Sequence, residues 1–321
     1  MEKDQVLYLV VPCYNEQEVL HETHRRLGEK LDELCGRGLI SQNSKMLFVD
    51  DGSRDSTWDI ICHLAADDRR VSGVKLSRNR GHQNALLAGL TTAVTRADVT
   101  VSLDADLQDD VNAIDEMVEK YLAGAQIVYG VRSDRTTDSA FKRGTAQGFY
   151  KFMAAMGVEA MYNHADYRLM SKRALEELLS FKEVNLFLRG MVPQVGFKTD
   201  TVTYKRAERF AGESKYPLKK MLALAINGIT SFSIKPLELI FTLGLVCGFG
   251  GLVALIWQAV LAIVGRCPST AAFLLSNLWI VCGILLVCMG VVGEYVGKIY
   301  LETKARPRFV IEKIVECPPL S

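Results

Sequence analysis

The sequence has almost no net charge and lacks the common glycine motifs that bind phosphate groups. Its 38 lysine and arginine residues nearly balance 37 aspartate and glutamate residues, which gives a formal net charge of +1. This balance does not indicate nucleic-acid binding, which normally uses a basic surface. No Gly-x-Gly-x-x-Gly follows the first predicted strand and no Gly-x-x-x-x-Gly-Lys is present. A dinucleotide-binding protein is therefore disfavoured, and a P-loop nucleoside triphosphatase is excluded.

The eight cysteines form no Cys-x-x-Cys pair, and no signal peptide precedes the first predicted strand. With this spacing the cysteines are expected to be reduced, structural thiols of the cytosol. Residues 1–5 contain no long apolar stretch, so we expect the N-terminal domain to remain on the cytosolic side of any membrane.

Charge is also absent from two long stretches near the C-terminus. Neither Leu239–Gly265 nor Cys267–Gly293 contains a charged residue, and each exceeds the roughly 20 residues that a membrane-spanning helix needs. Arg266 and the turn-like Cys267–Thr270 separate them. The pattern predicts a two-helix transmembrane hairpin over residues 236–300, and a pair of buried core helices is the alternative.

The flanking charges predict how this hairpin is oriented. Lysine and arginine residues precede the first run and follow the second, whereas the connecting loop offers Arg266 alone. By the positive-inside rule, residues 1–215 form a cytosolic domain and residues 301–321 a cytosolic tail. We therefore expect a multi-pass protein of the cell's inner (plasma) membrane. Gly244 and Gly248 form a Gly-x-x-x-Gly pair that favours close helix packing, and from it we expect a homo-oligomer.

Residues 216–235 have apolar side chains at helical spacing beside Lys219 and Lys220. This pattern predicts an amphipathic juxtamembrane helix that lies in the membrane interface. A surface helix packed on the cytosolic domain is the alternative.

The N-terminal part alternates short apolar runs with helical patterns, which predicts an α/β fold with a Rossmann-like, mainly parallel sheet. The predicted strands are Val6–Val11, Lys45–Val49, Val71–Leu76, a strand starting near Val99, and Gln126–Gly130. The predicted helices run from about Glu16 to Cys35, and over Thr57–Ala66, His82–Val94 and Val111–Ala123. In such sheets ligands bind beyond the carboxyl ends of the strands.

Asp104 and Asp106 follow the strand that starts near Val99. Residues two apart in extended chain point to the same side, so both carboxylates can face one spot, where their repulsion calls for a cation. Carboxylate oxygens suit Mg²⁺ or Mn²⁺, which often share a site with substrate phosphates. The pair indicates a metal-bridged nucleotide diphosphate, and an acidic first turn of the next helix is the alternative. Tyr14–Glu16 and Asp50–Gly52 follow two other strands and are expected to belong to the same site.

Four motifs, taken in order, resemble the family-two glycosyltransferases of the GT-A fold. They are Val11–Glu16, Asp50–Ser53, Ser77–Gln83 and Asp104–Asp109. With two C-terminal spans, the chain is similar to the polyprenyl-phosphate branch, which contains dolichol-phosphate mannose synthases and bacterial undecaprenyl-phosphate glucosyltransferases. The resemblance implies a metal-dependent enzyme that transfers one sugar, with inversion, from a nucleotide sugar to a polyprenyl phosphate. UDP-glucose and undecaprenyl phosphate are the expected substrates, and GDP-mannose is the alternative donor.

The resemblance also implies roles for individual residues. Asp104, Asp106 and Gln108 would coordinate Mg²⁺ or Mn²⁺. Asp166 stands where the family has its candidate catalytic carboxylate. Because a phosphate monoester has a second pKa of about 6, it is largely ionised at neutral pH, and we expect Asp166 to orient Arg168, or a contact to the acceptor phosphate, rather than to act as a strong base. The residues expected to bind the nucleotide sugar are Pro12, Tyr14, Glu16, Asp50, Ala105, Arg132, Arg209 and Lys215.

Three other functions remain open at this point. A processive polysaccharide synthase would share the fold, but that group usually has a Gln-x-x-Arg-Trp motif, and none of Trp58, Trp257 and Trp279 lies in one. A non-catalytic membrane scaffold with a glycosyltransferase fold should have lost its metal or nucleotide residues, and no such loss is evident. A membrane-tethered nucleotidyltransferase would also use an acidic metal site.

Overall fold

The computed structural model describes residues 4–132, 164–183, 188–205, 235–264 and 270–316. Arg209, Lys215 and the predicted amphipathic segment 216–235, except Lys235, lie outside these residues. The described chain divides into two compact units, one with the sheet and its helices and one with the two long C-terminal helices.

Within the described residues, eight strands form one sheet in the order β7-β5-β6-β4-β1-β2-β3-β8. Their bounds are β1 Leu7–Cys13, β2 Lys45–Asp50, β3 Val71–Leu76, β4 Val99–Ser102, β5 Ile127–Arg132, β6 His164–Ser171, β7 Thr199–Tyr204 and β8 Ile311–Glu316. Strands β6 and β8 run antiparallel to their neighbours, and the other pairings are parallel. The predicted mainly parallel sheet is confirmed.

The helices alternate with the strands in the first half of the chain, as predicted. Their bounds are α1 Leu20–Gly36, α2 Thr57–Asp67, α3 His82–Ala93, α4 Ala113–Leu122, α5 Lys172–Ser180, α6 Leu188–Met191, α7 Lys235–Ile263 and α8 Thr270–Lys304, with a 3₁₀ turn at Val192–Val195. The predicted bounds of the first four helices agree to within a turn, which is the usual uncertainty at helix ends.

Strand β1 is buried along its whole length because helices cover both faces of the sheet at this point. On one face, Leu9 joins the α1 residues Leu27 and Leu31 in the main apolar cluster. On the other face α3 lies so close that a Cβ atom at Gly89 would be 2.5 Å from Val10 Cγ1. Full burial of such aliphatic side chains stabilises the fold by about 1.5–3 kcal/mol each, so β1 is central to the core.

The chain order places a crevice beside β1. The first three strands are ordered β3-β2-β1, and α3 then carries the chain to β4 on the other side of β1. Connections leave β1 and β4 in opposite directions, which opens a crevice at their carboxyl ends, where ligands bind in sheets of this kind.

The sequence analysis did not predict β6, β7 or β8. Strand β8 lies at the edge of the sheet, antiparallel to β3, so the residues that follow α8 return to the sheet. Three of its six residues are exposed, among them Glu312 and Lys313. Charged, exposed residues are typical of a protected edge strand and obscure its apolar pattern. An ion pair between Arg96 and Glu316 holds its end.

Helices α7 and α8 contact each other within the second unit. Among the described residues, one stretch, Ile284–Lys304 in α8, is long and apolar enough to cross a membrane. The model therefore supports one candidate span, and the two-helix membrane hairpin remains a prediction.

Candidate active site

The loops that follow β1 and β2 are tied together at the carboxyl ends of these strands. The Asn15 N–H donates to Ser53 Oγ at 3.0 Å, and the Glu16 N–H donates to Thr57 Oγ1 at 2.9 Å. Pro12 lies beside Val49 in the parallel pairing. The sequence-predicted nucleoside residues of the first loop, with an exposed Tyr14, therefore lie next to those of the second.

Asp50, the last residue of β2, is fully buried. Its Oδ1 accepts a hydrogen bond from the Ser53 N–H at 3.1 Å, whereas its Oδ2 has no hydrogen-bond partner among the described residues. Burial raises the pKa of Asp50. An unsatisfied buried acceptor costs roughly 1–3 kcal/mol, so Asp50 is suited to accept a hydrogen bond from a ligand such as a nucleoside base.

The next residue, Asp51, holds the loop before α3. Its carboxylate accepts hydrogen bonds from the Arg80 N–H at 2.7 Å and from the Gly81 N–H at 2.8 Å. Gly52 has a φ of +66°, and a Cβ atom there would lie 2.6 Å from the Asn79 backbone nitrogen. Asp51 and Gly52 are therefore scaffold residues that fix where α3 begins.

Asp104 and Asp106 leave the sheet just beyond β4, as predicted. The Ala105 carbonyl between them accepts a hydrogen bond from Thr23 Oγ1 at 2.8 Å, and Asp106 Oδ1 accepts one from the Gln108 N–H at 3.2 Å. Leu107 adopts the left-handed backbone conformation, with a φ of +57°. These contacts hold the segment in a tight turn against α1.

Negative charge accumulates at this turn. Although 37% of the Asp104 side chain is exposed, loss of hydration raises its pKa to about 6, and the carboxylates of Asp109, Asp166 and Asp106 add to the rise. No group of three histidine, cysteine, aspartate or glutamate side chains in the described part of the chain could hold a metal ion alone. Two carboxylates suit an ion that takes its remaining ligands from water and substrate phosphates.

Asp166 reaches the same place from β6. In the antiparallel pairing Ser102 lies opposite Arg168. Asp104, two residues after Ser102, therefore comes close to Asp166, two residues before Arg168. The imidazole of His82, the first residue of α3, joins the two carboxylates: its Nε2 lies 3.5 Å from Asp104 Oδ1 and 3.7 Å from Asp166 Oδ2. The sheet thus brings the predicted metal ligand and the predicted catalytic carboxylate together.

Asp166 is paired with two arginines. Arg168, which is only 4% exposed, donates to Asp166 Oδ1 at 2.6 Å, and Arg189 Nη2 lies 3.3 Å from Oδ2. Burial alone would raise the pKa of Asp166, but the charges of Arg189, Arg168 and His82 outweigh it and lower the pKa to about 2. Asp166 is therefore ionised at neutral pH, and a carboxylate with so low a pKa is a weak base.

Arg132 lies at the end of β5, near the turn that follows Asp106. Its Nε donates to Tyr204 Oη at 3.4 Å, and its Nη2 lies 3.9 Å from Asp109 Oδ1. Tyr204 in turn donates to Asp109 Oδ1 at 2.5 Å. Arg132 is thus placed on the side of the acidic turn that faces β5 and β7.

Comparison with known proteins decides the family. Residues 8–179 match the sequence profile described as glycosyl transferase family 2. The chain belongs to glycosyl transferase family 2. It is 50% identical over 307 residues to the uncharacterized glycosyltransferase YkoT of Bacillus subtilis, covering 96% of this chain and 91% of that protein.

Two further relatives have more informative names. The prophage bactoprenol glucosyl transferase homolog of Escherichia coli is 38% identical over 311 residues, covering 95% of this chain and 98% of that protein. The bactoprenol glucosyl transferase of Shigella phage SfX is 38% identical over 309 residues, with the same two coverages. The family-two resemblance is confirmed, and the sheet described above is a GT-A fold.

Some site residues of this glycosyltransferase were not predicted from the sequence. His82 and Gln83 lie in the predicted motif Ser77–Gln83, but no role was predicted for either of them. Arg189 was not predicted as a site residue. Gln83 Oε1 accepts a hydrogen bond from the Leu188 N–H at 3.2 Å, which fixes α6 beside the site. Arg189 is a lone arginine in a short helix, and no spacing rule would have singled it out. The predicted Arg209 and Lys215 lie outside the described residues.

Proposed function

We propose that this glycosyltransferase moves a single sugar from a nucleotide sugar to a polyprenyl phosphate at the cytoplasmic face of the membrane. The observation that most supports the proposal is the joining of Asp104 and Asp166 through His82 at the exit of β4. One carboxylate lies where a donor diphosphate would be held, and the other carries arginines suited to an anionic acceptor. The relatives named bactoprenol glucosyl transferases favour glucose and undecaprenyl phosphate, with UDP-glucose as the donor.

The nucleoside would bind over the loops after β1 and β2. Pro12, Tyr14, Glu16 and the unpaired Asp50 Oδ2 form the pocket for the base and ribose. Asp104 and Asp106, helped by Gln108, would hold Mg²⁺ or Mn²⁺, which supplies charge neutralisation for the donor diphosphate when bound. Arg132 would contact the phosphates from the β5 side. Ala105, Arg209 and Lys215 complete the donor contacts implied by the resemblance.

The reaction needs no strong base in this arrangement. An oxygen of the acceptor phosphate forms a bond to the anomeric carbon, the bond from that carbon to the nucleoside diphosphate breaks, and the configuration inverts. The phosphate monoester is already largely ionised at neutral pH, because its second pKa is about 6. Asp166 therefore keeps Arg168 in place and so orients a positive contact to the incoming phosphate, and no proton has to be removed.

The membrane arrangement belongs to the same proposal. Helices α7 and α8 would form the hairpin that brings the site to the lipid, with both chain termini in the cytoplasm and residues 216–235 in the membrane interface. Association of α7 through Gly244 and Gly248 would give a homo-oligomer.

A donor panel tests the proposal. The purified full chain is incubated with undecaprenyl phosphate and, separately, with UDP-glucose, UDP-galactose, UDP-N-acetylglucosamine or GDP-mannose, and the lipid is analysed by mass spectrometry. One hexose per lipid, most rapidly from UDP-glucose, supports the proposal. Mannosyl lipid would instead support the alternative donor, a polymer would support a processive synthase, and no product from any donor would favour a non-catalytic scaffold.

A further inference from the structure

The short helix α6 presents an arginine, Arg189, to which the mechanism above gives no role of its own. The Arg189 side chain is 39% exposed, and its Nη2 and Nε lie 3.3 and 3.4 Å from the two carboxylate oxygens of Asp166. Arg168 already pairs with the same carboxylate at 2.6 Å and is buried. The Asp166 carboxylate is thus paired with two guanidinium groups, and the guanidinium of Arg189 is partly exposed to solvent.

The contacts of the two arginines with Asp166 differ in quality. Charge-assisted hydrogen bonds between nitrogen and oxygen are typically about 2.7–2.9 Å long. The Arg168 contact meets this standard, whereas both contacts of Arg189 are longer. Asp166 therefore has its shortest contact with the buried Arg168, and the partly exposed Arg189 guanidinium can contact a second anion while it stays beside Asp166.

The backbone of Arg189 is fixed from two sides. The Leu188 N–H donates to Gln83 Oε1 at 3.2 Å, and the Leu188 carbonyl accepts from Arg168 Nη1 at 3.4 Å. The neighbouring side chains of Leu188 and Met191 are buried. Gln83 follows His82, which contacts both Asp104 and Asp166. Arg189 is therefore held at a constant position relative to the predicted metal ligand.

The charges around Arg189 indicate which anion it would receive. Asp104 and Asp106 serve the donor diphosphate in the proposed function, whereas two guanidinium groups, those of Arg168 and Arg189, contact the Asp166 carboxylate. A phosphate monoester that approaches this side would meet a guanidinium fork suited to its oxygens.

We propose that Arg189 binds the phosphate group of the lipid acceptor. The inference rests on the proposed function and deepens it, because it names the residue that receives the second substrate. Asp166 acts here as a positioning residue, since it sets the plane of the Arg189 guanidinium. The acceptor phosphate replaces part of the solvent around Arg189 and lies with an oxygen toward the sugar.

The test compares Arg189→Gln and Arg189→Lys with the wild-type full chain in detergent micelles. The KM values for undecaprenyl phosphate and for UDP-glucose are measured, together with calorimetric binding of UDP-glucose without acceptor. Loss of a charged hydrogen bond corresponds to an increase of about tenfold or more in the acceptor KM for Arg189→Gln. We expect a smaller increase for Arg189→Lys and no change beyond about twofold in donor KM or donor binding.

Arg173→Gln is the matched control, because Arg173 is an exposed arginine that lies over the Phe197 ring rather than in the site. It should leave both KM values unchanged.

An unchanged acceptor KM in Arg189→Gln, or an equal increase in donor and acceptor KM, would overturn the inference while the proposed function stands. If the wild-type chain glycosylates no polyprenyl phosphate, the proposed function fails as well. A thermal unfolding scan of each variant separates a loss of folding from a loss of binding, and Arg189→Lys, which keeps the charge, still decides the question if Arg189→Gln is unstable.

Discussion

Asp104 and Asp166 both lie close to the same nitrogen of His82, Nε2, although they are 62 positions apart in the sequence. The antiparallel insertion of β6 beside β4 brings them together. The carboxylate next to the expected donor diphosphate and the carboxylate that orders two arginines therefore belong to one site.

Replacement of Asp166 tests whether it is a base. Because the Arg189, Arg168 and His82 charges lower its pKa to about 2, Asp166 is ionised at every pH above that value and adds no inflection to the rate profile near neutrality. Asp166→Asn should lower kcat/KM by about a hundredfold through misplacement of the arginines. The loss should be the same from about pH 6 to about pH 9. Recovery of activity in the variant as the pH rises would contradict an orienting role.

Arg168→Gln tests the buried ion pair. The change leaves the Asp166 carboxylate buried with only the longer contacts to Arg189, and breaking such a pair typically costs about 3 kcal/mol or more. We expect a lower free energy of unfolding by about that amount, measured by denaturant titration of the full chain in detergent. The exposed Arg173→Gln should change it by less than about 0.5 kcal/mol. Equal stabilities for the two variants would show that the pair is not structural.

Gly52→Ala tests the link between the loop after β2 and the loop before α3. A Cβ atom at Gly52 would lie 2.6 Å from the Asn79 backbone nitrogen, whereas one at Gly38, which has nearly the same positive φ, would meet nothing within 4 Å. Both alanines bear the left-handed backbone cost of about 1–2 kcal/mol. We expect an additional loss of stability and weaker UDP-glucose binding in Gly52→Ala alone, and equal behaviour of the two variants would contradict the close approach.

Two native cysteines test the proposed membrane topology. Cys267 lies in the predicted external loop and Cys317 in the predicted cytosolic tail. A membrane-impermeant thiol reagent applied to intact cells should modify Cys267 and leave Cys317 unmodified, and both should react after lysis. Peptide mass spectrometry reports each site. Modification of Cys317 in intact cells, or protection of Cys267 in them, would exclude the hairpin with both termini inside.

The first half of the fold could be predicted from the sequence because it repeats a local pattern. Buried parallel strands such as β1 and β2 consist of apolar runs that end at polar loops, and α1 between them has its buried leucines at helical spacing. The proposed ligand residues Asp50 and Asp104 lie at or just beyond the ends of β2 and β4, where such residues are expected. The common edge of parallel strands then places them together without further information.

The rest depends on contacts between distant residues. The burial of Arg168 and the exposure of Arg189 arise from the pairing of β6 with β4 and from the anchoring of α6 by Gln83. Neither leaves a periodic signal in the sequence. Strand β8 was missed for a different reason. Its sequence contains charged residues, as edge strands often do, and it follows a long apolar helix, so it was predicted to be part of an irregular cytosolic tail.

The central claim is that the two carboxylates after β4 bind a donor diphosphate through a divalent ion. Calorimetric titration of UDP-glucose into the full chain tests it most directly, with Mn²⁺ or Mg²⁺ present, after chelation, and in the double variant Asp104→Asn with Asp106→Asn. The exposed Asp67→Asn on α2 serves as the control. Chelation and the double variant should each weaken binding by about tenfold or more, and the control should bind as the wild type does. Undiminished binding after chelation and in the double variant would contradict the account.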